Sequence, residues 1–206
     1  MKMEEKLSPK VEALYKAVME LLLEGKEIRK MKVSEITERA GIGKGTAYEY
    51  FESREELIVH ALNFQQKIWA ENIREELARE STFTEKINRL FDLIDNIIKR
   101  VRKEALEEIC NIFFLSPIFS RKKCGGLNEL LYNMVKNAQR GGEIKEDFPD
   151  EYVVLALSGK LFNYITFSIN AGSEKDSVCT PEQIRAYLSD SIRQEFLVEE
   201  RQRHKV

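Results

Sequence analysis

Helix-breaking residues are scarce in this sequence: 4 prolines and 10 glycines lie scattered through 206 residues, too few and too dispersed to interrupt long helices. Cysteine and histidine are scarcer. Cys110, Cys124 and Cys179 are widely spaced and odd in number, and His60 and His204 are the only histidines. No CxxC pair or Cys/His cluster exists, which argues against a zinc site and a disulfide framework, so neither metal nor cofactor is expected. Cys124 follows two lysines, which would lower a thiol pKa and suit redox sensing; the plainer reading is a free cytosolic thiol. No stretch approaches the roughly 20 uncharged apolar residues that span a bilayer. The N-terminus carries Glu4 and Glu5 where a secretory signal would be apolar. No membrane association is expected, and the expected location is the cytoplasm.

A charge excess is also missing. The net charge is −2, and the first 55 residues hold 11 bases against 11 acids. Bulk charge therefore makes no case for nucleic acid, and any such case rests on where the charges sit. With 43% hydrophobic and 33% charged residues, the composition is that of a folded globular protein rather than a disordered one. No nucleophile–base pair, metal cluster or paired acids stand out, so an enzyme is not expected.

Helix signals recur throughout. Ser8 before Pro9 supplies an N-cap with proline in the first turn, and Val11, Leu14, Tyr15, Val18, Leu21 and Leu22 follow at helical spacing until Gly25. Ser53 with Glu56, Thr82 with Glu85, and Thr180 with Gln183 each have the capping-box spacing before an apolar-periodic run. Alternation of strand type is absent. The predicted fold is all-α. Up to about residue 52 the helices are short and punctuated by glycine; beyond it they lengthen. This predicts a three-helix domain over residues 1–52 and a larger helical domain over residues 53–206.

Residues 33–51 read as two short helices joined by a tight turn at Gly41, a residue suited to the left-handed conformation past a helix end. Ile36, Ala40, Ile42, Ala47 and Phe51 are spaced to pack that pair on the first helix. Such a helix-turn-helix delivers its second helix to the DNA major groove, and the side chains suit that task. Lys44 can donate to a base edge or a phosphate, and Thr46 can bond phosphate or touch a thymine methyl. Gly45 removes bulk where backbone approaches DNA, and Tyr48 and Tyr50 offer phenolic donors to phosphates. Lys26, Arg29, Lys30, Lys32 and Arg54 form an expected basic rim. Glu49 would repel phosphate or accept from a cytosine amine; the plainer reading turns it to solvent. Residues 41–46 also resemble a phosphate-cradling loop, but that loop needs a buried strand before it and an earlier glycine where Glu38 stands.

The run from Ile36 through Ala40, Gly41, Ile42, Lys44, Gly45, Thr46, Tyr48, Tyr50 and Phe51 to Ser53, Arg54, Glu55, Glu56 and Leu57 closely resembles the signature of the tetracycline-repressor (TetR) family. The resemblance implies a three-helix DNA-binding domain joined by a fourth helix to a ligand-binding, dimerising helical domain. It implies phosphate or base contacts at Ser34, Lys44, Gly45, Thr46, Tyr48, Tyr50 and Arg54. Two positions depart from the common pattern: Gly43 stands where Ser or Thr is frequent, and Arg54 where Lys is frequent.

In the larger domain, residues 150–169 are apolar on all sides, so more than one partner must cover that helix. The last helix repeats apolar residues every fourth position. Val154, Leu157, Leu161, Ile165, Ile184, Leu188, Ile192 and Phe196 are the expected interface of a two-fold homodimer, whose operator would be an inverted repeat; a monomer with a thick core is the alternative. Phe64, Trp69, Phe91, Ile94, Ile98, Phe113, Phe114 and Met134 lie in segments that line the effector cavity of similar proteins. Together they point to an apolar or aromatic small molecule. Residues 116–120 are expected to form a loop at the pocket rim, and residues 141–147 a turn before the first dimerisation helix. The expected function is a transcriptional regulator, a repressor released from its operator by that effector. The alternative is a ligand-binding or scaffold protein whose helix-turn-helix no longer binds DNA.

Overall fold

The computed structural model describes residues 7–115, 126–171 and 178–198, with only the backbone of residues 113–115. Cys124, the segment 116–120 and the side chains of Phe113 and Phe114 lie outside the described parts. Nine α-helices and one 3-10 turn make up the described residues: α1 (Pro9–Leu23), the 3-10 turn (Ile28–Lys30), α2 (Val33–Ala40), α3 (Lys44–Tyr50), α4 (Arg54–Leu77), α5 (Phe83–Arg100), α6 (Lys103–Leu115), α7 (Leu127–Arg140), α8 (Asp150–Asn170) and α9 (Pro181–Phe196). The fold is all-α, as the periodicity predicts; the sole extended pairing among these residues is one bridge between Ile144 and Leu197.

The caps fall where the sequence places them. Ser8 accepts from Val11 N–H, Thr82 from Glu85 N–H, and Thr180 from Gln183 N–H, and the last two complete reciprocal capping boxes. At α4 the box is shifted: Ser53 caps Glu56 N–H, while the Glu56 carboxylate reaches Glu52 N–H at 2.6 Å.

Two apolar clusters hold the chain. The first joins α1, α2 and α3 to the opening turns of α4, through Leu14, Leu22, Met31, Ile36, Ala47, Phe51, Leu57 and Leu62. The core of the N-terminal unit therefore continues past residue 52 into α4. The second cluster joins α5, α7, α8 and α9 to the end of α4, with Leu77, Phe83, Phe91, Leu157, Tyr164 and Phe196 among its most buried members. Each such side chain contributes about 1.5–3 kcal/mol by leaving water.

Helix α8 shows a limit of the sequence reading. It is long and apolar enough to cross a membrane by length and composition, with a mean hydropathy of 1.3. The uncharged-run criterion passes over it because Lys160 interrupts it. Here it packs against α5, α6, α7 and α9, and Lys160 pairs with Glu195 at 3.0 Å.

The expected dimer residues are covered to different degrees by their own chain. Val154, Leu157, Leu161, Ile192 and Phe196 are buried in the chain's own second cluster, and Ile184 and Leu188 pack against it half-buried. Ile165 is half-buried as well. A helix that is apolar all round does not reveal from sequence which side meets its own chain, and the four-residue spacing marked the inner side. On α8 and α9 the large apolar residues turned outward are Leu155, 72% exposed, Tyr187, 63% exposed, and Tyr152, 44% exposed.

Candidate nucleic-acid interface and effector region

The two helices of the motif are set by Gly41. Its φ of 65° is left-handed, a conformation that costs other residues energy. It lets Ile42 N–H bond Thr37 C=O at 2.9 Å and Gly41 N–H bond Glu38 C=O at 3.1 Å, closing the end of α2. Gly43 returns the chain to extended backbone and begins α3 with no side-chain cap, in keeping with the missing Ser or Thr there. Ala47 and Phe51 point into the first cluster.

That anchoring turns the rest of α3 outward. Lys44, Gly45, Tyr48, Glu49 and Tyr50 are exposed, Thr46 is half-buried, and Ser34 is exposed at the start of α2. Lys44 makes no ion pair among the described residues, so its ammonium is available to an anion. Six of the seven expected contact residues thus lie at the start of α2 and on α3, five of them exposed and Thr46 half-buried.

Arg54 is placed differently. Its Nη1 donates to the carbonyls of Arg29 and Met31 at 3.0 Å each and of Ile28 at 3.4 Å, while Nε and Nη2 hold the Glu55 carboxylate. All three guanidinium nitrogens are engaged within the protein, fastening the 3-10 turn to the start of α4. The basic rim is thinner than the sequence suggests, because Lys26 pairs with Glu35 and Lys30 with Glu27. Arg29 and Lys32 stay exposed.

A contact the sequence does not announce links the two domains. Glu108 of α6 accepts the Ile28 N–H at 2.9 Å, while Ile109 and Ile112 pack on the first cluster. Glu108 stands 80 residues away in an ordinary acidic helix, so no local pattern marks it.

The expected effector residues do not form one group. Phe91 and Met134 are buried in the second cluster, and Phe91 lies edge-on to Tyr164 with ring centroids 5.0 Å apart. Phe64 and Trp69 pack on the first cluster, and Ile94 packs on the second. Ile98 is half-buried. The apolar side chains of α5 beyond Phe91 and of α8 beyond Tyr164 are nowhere fully buried. A separate open groove of about 540 Å³ runs between Lys136, Gln139 and Arg140 of α7 and residues 146–150; none of the expected effector residues lines it.

Polar chemistry in the larger domain gathers on α5, α8 and α9. Tyr164 donates to Asp95, which also pairs with Arg185 at 2.9 Å; Arg185 holds Asp92 at 2.7 Å and stands over the Phe91 ring. Burial, then the Asp95 carboxylate, pushes the Tyr164 hydroxyl up to about 12. Burial, helped by Glu107, pushes the Cys110 thiol up to about 11, leaving it a poor nucleophile. No group of three or more His, Cys, Asp or Glu residues that could hold a metal occurs among the described residues.

Residues 20–61 match the family model of bacterial regulatory proteins of the tetR family. No curated protein matches the chain in sequence. Among solved structures, the fold is similar to the transcriptional regulator FadR of Bacillus subtilis in complex with stearoyl-CoA: TM-score 0.60, 18% identity, covering 89% of this chain and 95% of that one. The fatty acid degradation regulator FadR of Bacillus halodurans gives a TM-score of 0.63 at 17% identity, covering 92% and 99%. A protein of Shewanella sp. PV-4 assigned to the tetR family of transcription regulators gives 0.65 at 13% identity, covering 92% and 99%.

Proposed function

From the premise that the chain carries the tetR-family regulatory segment within a fold shared with that family's regulators, we propose that it is a homodimeric, sequence-specific repressor released from an inverted-repeat operator by a small apolar effector. The observation that carries the DNA reading is the outward face of α3. Ala47 and Phe51 fix that helix to the core, so Lys44, Gly45, Tyr48 and Tyr50 stand toward solvent. Lys44 supplies the charge for a base edge or phosphate, and the tyrosines supply register-setting donors.

A second copy is the natural cover for α8 and α9. Only 33% of the most apolar window of α8 is buried within the chain. Leu155 and Tyr187 lie outward. Gly159 lies on the same side of α8, with nothing within 4 Å of where a Cβ would stand. A mid-helix glycine costs about 1 kcal/mol, and no neighbour among the described residues requires one. Close approach of a partner helix accounts for it.

The effector would enter between the two clusters, where apolar side chains of α5 and α8 are only partly covered. The likeness to a FadR bound to stearoyl-CoA makes a long-chain acyl thioester a reasonable first probe. To release DNA, the effector must bind the released arrangement better than the DNA-competent one.

The test is selection of bound sequences from a random DNA pool by the purified protein. An enriched inverted repeat supports the reading. Folded, ligand-free protein that enriches nothing would favour the scaffold alternative, which gains weight from the internal pairing of Lys26, Lys30 and Arg54.

A further inference from the structure

Along α4 the first cluster ends at Leu62 and the second begins at Leu77. Between them the only buried side chains of this helix are Gln66 and Ala70. Gln66 is 3% exposed, and its Oε1 has no hydrogen-bond partner among the described residues. The carboxamide is also wedged. It lies against Gly126, the N-cap of α7, where a Cβ would come within 2.9 Å of the Gln66 Cγ and 3.1 Å of its Oε1. Gly126 has a φ of 77°, a conformation open to glycine, and α7 begins there with no side-chain cap. The bare backbone makes room for Gln66. Half-buried Phe64, Trp69 and Ile73 bracket it on the same helix.

A glutamine kept for packing has its oxygen paired, because a buried acceptor without a donor costs about 1–3 kcal/mol. Leucine would occupy much the same volume without that cost. We infer that Gln66 is the polar contact of the effector site, and that the effector is an apolar molecule bearing a hydrogen-bond donor, a hydroxyl or an amide N–H, that reaches the Gln66 oxygen. A hydrocarbon or a simple ether leaves that acceptor unpaired and binds less well. The inference rests on the regulator reading above and adds to it the chemistry the effector must carry.

Two isomeric probes isolate the donor: nonyl alcohol, which has one, and octyl methyl ether, which has none. Trp69 is the single tryptophan of the chain and stands one turn from Gln66, so its fluorescence reports binding to the full-length protein. The alcohol is expected to bind about fivefold more tightly than the ether, the worth of one net hydrogen bond. In Gln66→Leu the two should bind alike, and the ligand-free variant should melt at a higher temperature than the parent. Equal binding of the probes to the parent, a preference that survives in Gln66→Leu, or a variant that melts lower would each overturn the inference. Failure of both probes to bind would overturn it together with the apolar-effector reading. Binding of a selected DNA site, measured on the same preparations, reports separately on the regulator reading.

Discussion

The Glu108 carboxylate and the Ile28 amide meet at 2.9 Å, and this bond ties α6 of the larger domain to the turn that leads into α2. At the other side of that turn Arg54 holds the carbonyls of Ile28, Arg29 and Met31. The 3-10 turn is thus gripped by both α6 and α4, and a shift of either is felt at the start of α2, where Ser34 stands. Glu108→Ala should speed hydrogen exchange at the Ile28 amide and weaken binding to a selected DNA site about three- to tenfold, the worth of one hydrogen bond of about 1 kcal/mol. Glu108→Gln keeps an acceptor and should restore most of both. An alanine variant with parental exchange and affinity would show that the contact transmits nothing.

Arg54 separates two roles that the family resemblance merges. If it is a brace, as its contacts indicate, Arg54→Lys should lower the melting temperature, because one ammonium cannot satisfy three carbonyls and a carboxylate in the guanidinium's fork geometry. The expected loss is about 1–2 kcal/mol. A variant with unchanged melting temperature and weakened DNA binding would instead make Arg54 a phosphate contact.

The difference between these roles marks what the sequence could reveal. Caps, periodicity and the Gly41 turn are local, since each depends on residues within one or two turns of helix, and apart from the shifted box at α4 the structure shows them where the spacing predicts. The exposure of α3 was legible for the same reason: with Ala47 and Phe51 turned inward, Lys44, Gly45, Tyr48, Glu49 and Tyr50 are left to solvent. Contacts between distant elements were not. Glu108, Gln66 and the partners of Arg54 depend on how helices are stacked, and no periodicity encodes that. On α8 the period was correct but both sides were apolar, so Leu157 could not be told from Leu155.

Tyr164 should impose a pH dependence on stability. Its hydroxyl is raised to about 12 in the folded chain, against about 10 in an unfolded one. The folded state therefore holds its proton more tightly. The stability it contributes is complete below about pH 10 and is lost as pH rises toward about 12. Urea midpoints measured across that window should fall more steeply for the parent than for Tyr164→Phe, which has no proton to lose. Tyr15 and Tyr152, also raised, are common to both proteins and cancel. Parallel slopes would mean that Tyr164 ionises as freely folded as unfolded.

The outward and inward sides of α8 make opposite predictions about assembly. Leu155 is 72% exposed and Tyr187 is 63% exposed, whereas Leu157 is fully buried. In an isolated chain, Leu155→Glu and Tyr187→Glu would replace solvated apolar groups with solvated charges and leave the fold intact. In a dimer the same carboxylates would be forced into an apolar contact, where an unpaired charge costs several kcal/mol. Both variants should therefore sediment as monomers with parental helix content, and both should lose tight binding to an inverted repeat, because the two recognition helices are no longer held one helical turn apart. Leu157→Ala should do the reverse. It should cost about 2–5 kcal/mol of stability through the cavity it leaves, while whatever remains folded still dimerises. Sedimentation velocity on the three variants distinguishes the cases. Leu155→Glu and Tyr187→Glu proteins that remain dimeric would move the interface away from α8 and α9 and leave Gly159 without a reason.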